Sequence, residues 1–215
     1  MALPALPRTD AEAAVAAERL RLADHVAGLT EAQWATPSLC PAWTVRHVVA
    51  HLTTTTRLGL LQVIPAAIRA RGSFDRMEID LAADLVARCS AAELVARLRE
   101  SAGSTRRAPG SSPMDPLMDI VIHGQDIARP LGHDYRTPPD VVAACLAYVV
   151  PNRFLGAPKR LAGLRIVSAD TGWTYGDGAE VRGPDIDLLL VASGRPAGLA
   201  ALTGPGVATL TERLT

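Results

Sequence analysis

Two pairs of side chains that can bind a metal ion lie four positions apart in the chain. The first pair is His47 and His51, and the second is Asp119 and His123. Residues four apart share one face of an α-helix, separated by about 6 Å of rise. Two such pairs on facing helices can converge on one point, and metal sites inside helical bundles are built in this way. The sequence therefore predicts a centre for one divalent metal ion, although each pair alone also fits an ordinary helix surface.

His51, Asp119 and His123 are the predicted ligands. Two imidazoles and a carboxylate leave one coordination position open for water or substrate, as in catalytic zinc sites. Zinc is the preferred metal, and the same donors also describe a non-haem iron site. Because a fourth protein ligand would close the open position, we expect His47 either to donate a hydrogen bond to one of the metal-binding side chains or to face solvent. Asp126, three residues after His123, is expected to orient an imidazole or to balance a charge.

Two helices must position these ligands. One is predicted from about Thr44 to about Leu61 and the other from Pro113 to Leu131, because apolar residues recur in both segments at helical spacing. On a helical wheel, His51 and His123 flank the apolar stripes and do not lie at their centres. We therefore expect ligands that are partly buried but reachable. Further helices are predicted over residues 10–28, over 78–100 with a break near Cys89, and over 138–150.

The pattern changes after about residue 160. LRIVSA predicts a strand, and WTYGDGAEV predicts a hairpin whose turn is Gly176-Asp177-Gly178. DIDLLLVASGR and VATLTERL predict two more helices. The predicted fold class is mainly α, with an N-terminal four-helix bundle over residues 1–155 and a small α/β C-terminal domain over residues 156–215. The second domain is too small to be stable without docking on the first.

Composition limits the classes of partner. The 22 Lys and Arg residues balance the 22 Asp and Glu residues, so no overall field attracts nucleic acid or an anionic membrane. The three cysteines are widely spaced without a CxxC pair, which argues against a disulfide framework and a thiolate zinc site, and Cys40 is interpreted as a free thiol. Apolar runs are shorter than a membrane span, and the first residues do not form a secretory signal. We expect a cytoplasmic monomer or homodimer with small-molecule partners.

The two segments that carry the predicted ligands resemble the mycothiol-dependent maleylpyruvate isomerase family, one of the DinB-like helical bundles. TPSLCPAWTVRHVVAHL, residues 36–52, has the family's Trp-Thr-Val-Arg helix start ahead of a metal-binding His-Leu pair, here His51-Leu52. DIVIHGQDIARPLG, residues 119–132, has the family's acidic residue four positions before a His, followed by Gly-x-Asp. This second pattern maps onto Asp119, His123 and Asp126.

The chain departs from the family pattern at two positions. The family's carboxylate is usually Glu, and here it is Asp119, which is one methylene shorter. The position of His47 is more typically acidic. A third match, Ser193-Gly194-Arg195 after a C-terminal helix, extends the resemblance over nearly the whole chain. The resemblance thus implies a DinB-like metal-binding bundle followed by a small C-terminal domain.

The resemblance also implies an enzyme that uses mycothiol as its thiol cosubstrate, an isomerase or an S-transferase. In such proteins the metal binds the sulfur of a low-molecular-weight thiol, which keeps the sulfur deprotonated and nucleophilic. Addition of this thiolate to a small electrophile gives isomerisation when the adduct rotates and expels the thiol, and transfer when it does not. An arginine would hold a substrate carboxylate, with Arg195 as the first candidate and Arg57 as the second. Either arginine also fits a solvated surface position.

Two other functions are compatible with the same residues. A non-catalytic DinB-like bundle would bind a metal or a ligand without turnover. A metal-dependent hydrolase would hold water at the open coordination position. Because one fold and one metal site serve several chemistries, the sequence leaves all three functions open.

Overall fold

The computed structural model describes residues 6–54, 74–107 and 110–215 of the chain. The described residues form two compact units, one comprising Glu12–Tyr135 and the other Arg136–Thr215 with the described residues before Glu12. The first unit is helical, and the second combines helices with a three-stranded sheet, which confirms the predicted fold class. Within the described ranges, no helix is both long enough and apolar enough to cross a membrane.

Among the described residues of the first unit, five helices lie in segments where helices are predicted, and a sixth, the short helix Glu31–Trp34, was not predicted. The break predicted near Cys89 is confirmed, because Ser90 caps a new helix. The Ser90 hydroxyl accepts from the backbone N–H of Glu93, and the Glu93 side chain accepts from the backbone N–H of Ser90. In chain order the helices are α1 (Arg8–Ala27), α2 (Glu31–Trp34), α3 (Val45–Thr54), α4 (Phe74–Val86), α5 (Ala91–Glu100) and α6 (Met114–Ala128).

Helix α3 contacts α4, α5 and α6, so it lies inside the first unit. Val48 and Val49 are fully buried and Leu52 is nearly so, which agrees with the apolar stripe predicted for this helix. The predicted continuation of α3 to Leu61 lies outside the described residues. Helix α6 is buried over residues 120–128. Both helices that carry predicted ligands therefore belong to the core of this unit.

Gly124 allows α6 to pack closely against Tyr135. A Cβ at position 124 would lie 2.5 Å from Cε1 of Tyr135, so a larger residue would force the ring to move. The buried Tyr135 hydroxyl donates to Glu18 of α1 over 3.3 Å. Helix α1 is also tied to the end of α5, because the buried Arg19 donates to the backbone oxygen of Ser101 over 2.8 Å. These contacts fix the surroundings of α6.

In the second unit, the helix Asp185–Ala192 contacts both the helix Pro139–Val149 and the sheet. Its residues Leu188, Leu189 and Leu190 are almost completely buried. The elements are α7 (Pro139–Val149), α8 (Ala157–Arg160), β1 (Leu164–Ser168), β2 (Thr174–Tyr175), β3 (Ala179–Gly183), α9 (Asp185–Ala192), a 3-10 helix (Pro196–Ala201) and α10 (Val207–Leu214).

The sheet has the order β2-β1-β3, with β1 antiparallel to β2 and parallel to β3. The hairpin predicted between β2 and β3 is therefore wrong, since these strands lie on opposite sides of β1. Their connection crosses the end of β1, where Gly178, with a φ of 130°, passes against the backbone oxygen of Gly163. A side chain at position 178 would overlap that oxygen, so the glycine serves a crossing and not a two-residue turn.

The predicted domain boundary after residue 155 stays a prediction. Along the chain, the two compact units divide between Ala11 and Glu12 and again between Tyr135 and Arg136. Helix α7, which the sequence assigns to the N-terminal domain, belongs to the second unit because it packs on α9.

Candidate metal centre

The structure brings His51, Asp119 and His123 together in the first unit. Oδ2 of Asp119 lies 3.6 Å from Nε2 of His51, and Oδ1 lies 3.3 Å from Nε2 of His123. The centroids of the two imidazole rings are 5.0 Å apart. The side chain of each histidine is 10% exposed, whereas that of Asp119 is 27% exposed. The carboxylate is therefore the most accessible member of this trio.

Helices α3 and α6 place the trio. Asp119 and His123 are four residues apart on α6, so both side chains leave the same face of the helix. His51 lies in the described C-terminal part of α3, and α3 contacts α6 directly. The convergence predicted from two helices with ligand spacing is thus present, with only His51 contributed by α3.

Each of these histidines has a carboxylate at the ring nitrogen that faces away from Asp119. Nδ1 of His51 lies 2.7 Å from Oε2 of Glu78 on α4, and Nδ1 of His123 lies 2.8 Å from Oδ2 of Asp126. An ionised carboxylate only accepts, so a neutral imidazole here carries its proton on Nδ1 and keeps a lone pair on Nε2. Metal-binding histidines in proteins are oriented by partners of this kind. Both lone pairs therefore face Asp119.

The charges in this cluster shift one another's pKa values. Burial lowers the pKa of His123, but Asp119 and a hydrogen bond with Asp126 raise it well above its usual value. The pKa of His51 is also raised, since Asp119 and Glu78 outweigh the effect of burial. Burial raises the pKa of Asp119, but the two imidazoles hold it well below its usual value. An incoming cation must therefore compete with protons on the histidines.

The loop before α3 adds an aromatic ring to the cluster. Pro37 and Thr44, at the two ends of this loop, form an isolated antiparallel β-bridge. The ring of Trp43 has its centroid 5.1 Å from that of His51 and 6.3 Å from that of His123. Nε1 of Trp43 is buried without a hydrogen-bond partner among the described residues. An indole beside both imidazoles limits the access of water and lowers the local dielectric.

The same loop adds a thiol beside Asp126. Sγ of Cys40 donates to Oδ2 of Asp126 over 3.1 Å and lies 3.7 Å from Nδ1 of His123. Among the described residues, this group and the trio of His51, Asp119 and His123 are those whose possible ligand atoms all lie within 4.8 Å. His123 belongs to both groups through its two ring nitrogens.

The remaining predicted residues lie elsewhere. Nδ1 of His47 is 2.8 Å from the hydroxyl of Thr44, just before α3. This histidine belongs to neither group of possible metal ligands found among the described residues. Arg195 lies in the second unit, where its Nη1 donates to the backbone oxygen of Ser193 over 2.9 Å. Arg57 lies outside the described residues.

Glu78 and Cys40 were not predicted as parts of the site. Glu78 lies on α4, and only the packing of α4 against α3 brings it to His51. Cys40 lies within the segment that carries the family resemblance, but no spacing rule relates a loop residue to a carboxylate on α6. Both contacts are tertiary, and a single sequence gives no signal for them beyond residue type.

The donor set of the trio fits a divalent metal ion. In a tetrahedral site with metal–ligand distances of about 2.0–2.2 Å, neighbouring ligand atoms lie about 3.3–3.6 Å apart. Each Nε2 lies at such a distance from a different oxygen of Asp119, 3.3 Å from Oδ1 for His123 and 3.6 Å from Oδ2 for His51, and one ligand atom from each residue lies within 4.8 Å of the others. Two nitrogens and one carboxylate are also the ligand types that zinc and related ions prefer. Spacing, donor chemistry and the carboxylates behind the histidines agree.

The trio lies on two contacting helices of a helical unit, which is the class of fold and site expected for a DinB-like bundle. The family described as mycothiol maleylpyruvate isomerase N-terminal domain matches residues 15–128. This match spans more than half of the chain and includes all three members of the trio, and the chain belongs to this family.

Two solved structures resemble nearly the whole chain. A crystal structure of the mycothiol-dependent maleylpyruvate isomerase has 16% sequence identity, covers 93% of each chain and has a TM-score of 0.60. A histidine-to-alanine mutant of the mycothiol-dependent maleylpyruvate isomerase has 17% identity, covers 93% of each chain and has a TM-score of 0.57. At these identities the likeness shows a shared fold, which includes the C-terminal part of the chain. A search among curated proteins gives no match.

Proposed function

We propose that the chain is a metal-dependent enzyme that uses mycothiol to isomerise or S-conjugate a small electrophile. His51, Asp119 and His123 would hold one divalent ion, zinc by preference. The observation that carries this proposal is that two imidazole Nε2 atoms face one carboxylate at the spacing of metal ligands. Membership of a family named for mycothiol and maleylpyruvate supports the choice of thiol and electrophile.

The residues around the trio prepare it to bind an anionic sulfur. Asp126 accepts from Nδ1 of His123, and Oε2 of Glu78 lies 2.7 Å from Nδ1 of His51, so both carboxylates favour rings whose Nε2 lone pairs are directed at Asp119. When bound, a divalent ion supplies Lewis acidity that keeps a thiol deprotonated near neutral pH. The trio itself contributes one negative charge, through Asp119, so a divalent cation would not be neutralised by its ligands. The remaining positive charge favours a thiolate over a neutral ligand.

Arg195 is proposed to bind a carboxylate of the substrate. In the second unit, the guanidinium of Arg160 lies beside Gly194, the residue before Arg195, since a Cβ at position 194 would be 3.6 Å from Cζ of Arg160. Burial lowers the pKa of Arg160, and the charge of Arg195 lowers it further. Two neighbouring cations create a positive potential that attracts an anion, and arginine binds carboxylates through paired N–H donors. Arg57 stays the second candidate for this role.

Metal analysis of the purified protein tests the trio. We expect about one equivalent of zinc in the wild type and in H47A, and less than a tenth of that in H51A, because His47 bonds to Thr44 and His51 faces Asp119. H47A is the matched control, since it removes a histidine from the same helix. Wild-type protein without stoichiometric metal, or H51A with a full equivalent, would overturn the assignment of the ligands.

Cobalt substitution tests the thiol chemistry. Addition of mycothiol to the cobalt-loaded protein is expected to produce a thiolate-to-cobalt charge-transfer band and to be required for turnover of maleylpyruvate. A loaded protein that shows neither would be a non-catalytic binder, or a hydrolase if it cleaves an ester or amide instead.

For Arg195, we expect R195Q to raise the KM for the carboxylate substrate at least tenfold, and R195K to raise it less.

A further inference from the structure

The buried carboxylate of Asp126 has two neighbours at one oxygen atom. Nδ1 of His123 lies 2.8 Å and Sγ of Cys40 lies 3.1 Å from Oδ2. Asp126 is 0% exposed, so bulk water cannot replace a donor that is lost. Removing a donor from a buried carboxylate leaves the desolvation cost without the compensating hydrogen bond. The orientation of this carboxylate therefore depends on both neighbours.

The loop that carries Cys40 is fastened to Asp126 and to itself. The backbone N–H of Leu39 donates to the backbone oxygen of Asp126 over 3.1 Å. The hydroxyl of Ser38 accepts from the backbone N–H of Cys40 over 3.1 Å. Ala42 has a φ of 65° and is the non-glycine residue with positive φ in the described chain. Such a conformation costs free energy and persists where the surroundings determine it.

We propose that Cys40 is a positioning residue of the metal centre and acts through Asp126 on His123. The thiol donates to Oδ2 of Asp126, which keeps that oxygen turned toward Nδ1 of His123. The proton of the imidazole then stays on Nδ1, and the lone pair of Nε2 stays directed at Asp119. This inference rests on the proposed metal-dependent function. It assigns Cys40 no contact with the ion or with the substrate.

A direct role of Cys40 as a metal ligand is the competing arrangement. Sγ of Cys40, Nδ1 of His123 and Oδ2 of Asp126 lie close enough to share an ion. An ion bound there would occupy Nδ1 of His123, and a neutral ring would then carry its proton on Nε2, pointing at Asp119. The ring could not serve both groups as a neutral ligand. The 2.8 Å hydrogen bond between Nδ1 of His123 and Asp126, shorter than the 3.3 Å contact of Nε2 with Asp119, places the proton on Nδ1 and favours the positioning role.

The experiment compares wild type, C40A, C40S and C89A by cobalt binding without any added thiol or substrate. Affinity is measured by competition with a chelator, and the visible spectrum of the bound cobalt reports the ligand geometry. We expect C40A to weaken cobalt binding by about three- to tenfold and to change the spectrum, since outer partners of metal ligands affect affinity on this scale or above it. C40S retains a donor and is expected to stay within about twofold of wild type. C89A, the control for loss of a buried thiol elsewhere, is expected to bind like wild type.

Three outcomes would overturn the role of Cys40. In the first, C40A binds cobalt with wild-type affinity and spectrum. In the second, C40S is as impaired as C40A. In the third, wild-type protein without added thiol shows a thiolate-to-cobalt band that C40A lacks, which would make Cys40 a ligand. Each of these outcomes leaves the proposed metal-dependent function intact. A wild type that binds no cobalt would overturn that function together with the role of Cys40, so failure of the first can be told from failure of the second.

Discussion

Both units of the molecule bury a carboxylate, and they treat it in different ways. In the helical unit, Asp126 has His123 and Cys40 at hydrogen-bond distance. In the second unit, Asp185 at the start of α9 is 2% exposed, and burial raises its pKa against a smaller opposing effect of Ser168. Burying an anion is costly unless donors or cations compensate. The helical unit supplies imidazoles to its carboxylates, and this is the site where we propose that a cation binds.

Removal of the accessible carboxylate should give the largest difference between the units. D119N replaces the anionic member of the trio with a neutral amide, so we expect zinc affinity to fall by more than about 100-fold, beyond the range typical of outer partners. D185N, a matched change in the second unit, should leave zinc affinity unchanged. Chelator competition measures both. Equal zinc affinity in the two variants would remove the distinction between the units.

Changes behind the histidines should have an intermediate effect. D126N and E78Q leave the trio intact but replace the carboxylates that contact Nδ1 of His123 and His51. We expect each to weaken zinc binding by about 10–100-fold. The same chelator assay gives the values, with D185N again as the control. Wild-type affinity in both variants would show that the trio does not depend on its carboxylate partners.

The stability gained from metal should increase with pH. The pKa of His123 is raised, because Asp119, Asp126 and Cys40 outweigh burial. In the metal-free protein this histidine stabilises the fold fully below about pH 6.5, the usual histidine pKa, and the contribution is lost as pH rises through the raised pKa. Metal binding must displace that proton, so zinc affinity rises over the same range.

Calorimetry with and without a chelator measures this effect. The difference in Tm between the zinc-loaded and the metal-free protein should increase as pH rises above about 6.5. H123A, which lacks one of the two histidines with a raised pKa, should show a smaller Tm difference that changes less with pH. A Tm difference that is constant with pH in the wild type would mean that zinc does not compete with a proton on His123.

The smallest effect is expected in the second unit. Since the pKa of Asp185 is raised by burial, its carboxyl binds a proton more tightly in the folded chain. Its contribution to stability is present below about pH 3.9, the usual Asp pKa, and is lost as pH rises through the raised value. D185N cannot ionise and should remove this loss, changing the free energy of unfolding at acidic pH by less than about 1 kcal/mol. Urea unfolding at several pH values tests this, and a parallel pH dependence in the two proteins would contradict it.

Features that depend on one helix could be predicted from the sequence, whereas contacts between different elements could not. The four-residue spacing of Asp119 and His123 fixes a shared helix face, and the Ser90–Glu93 capping box marks a helix start, so both were predictable. Glu78 and Cys40 reach the site through packing between elements, and no local pattern encodes such contacts. The proposed roles of these side chains therefore depend on the structure.

The predicted hairpin between β2 and β3 was wrong because strand pairing also depends on contacts between distant elements. Glycines at 176 and 178 indicated a tight turn, but glycine also permits a close crossing over another backbone, as at Gly163. The choice between a turn and a crossing depends on where β1 lies, which the local sequence does not state. Helix α7 likewise joins the second unit through its contacts with α9 and not through any break in the chain.

Anomalous X-ray diffraction from zinc-loaded crystals would show directly which atoms bind the ion. We expect one zinc ion bound by Nε2 of His51, Nε2 of His123 and a carboxylate oxygen of Asp119, with bond lengths of about 2.0–2.2 Å. An anomalous peak at Sγ of Cys40 and Oδ2 of Asp126, or no peak within the helical unit at saturating zinc, would contradict it.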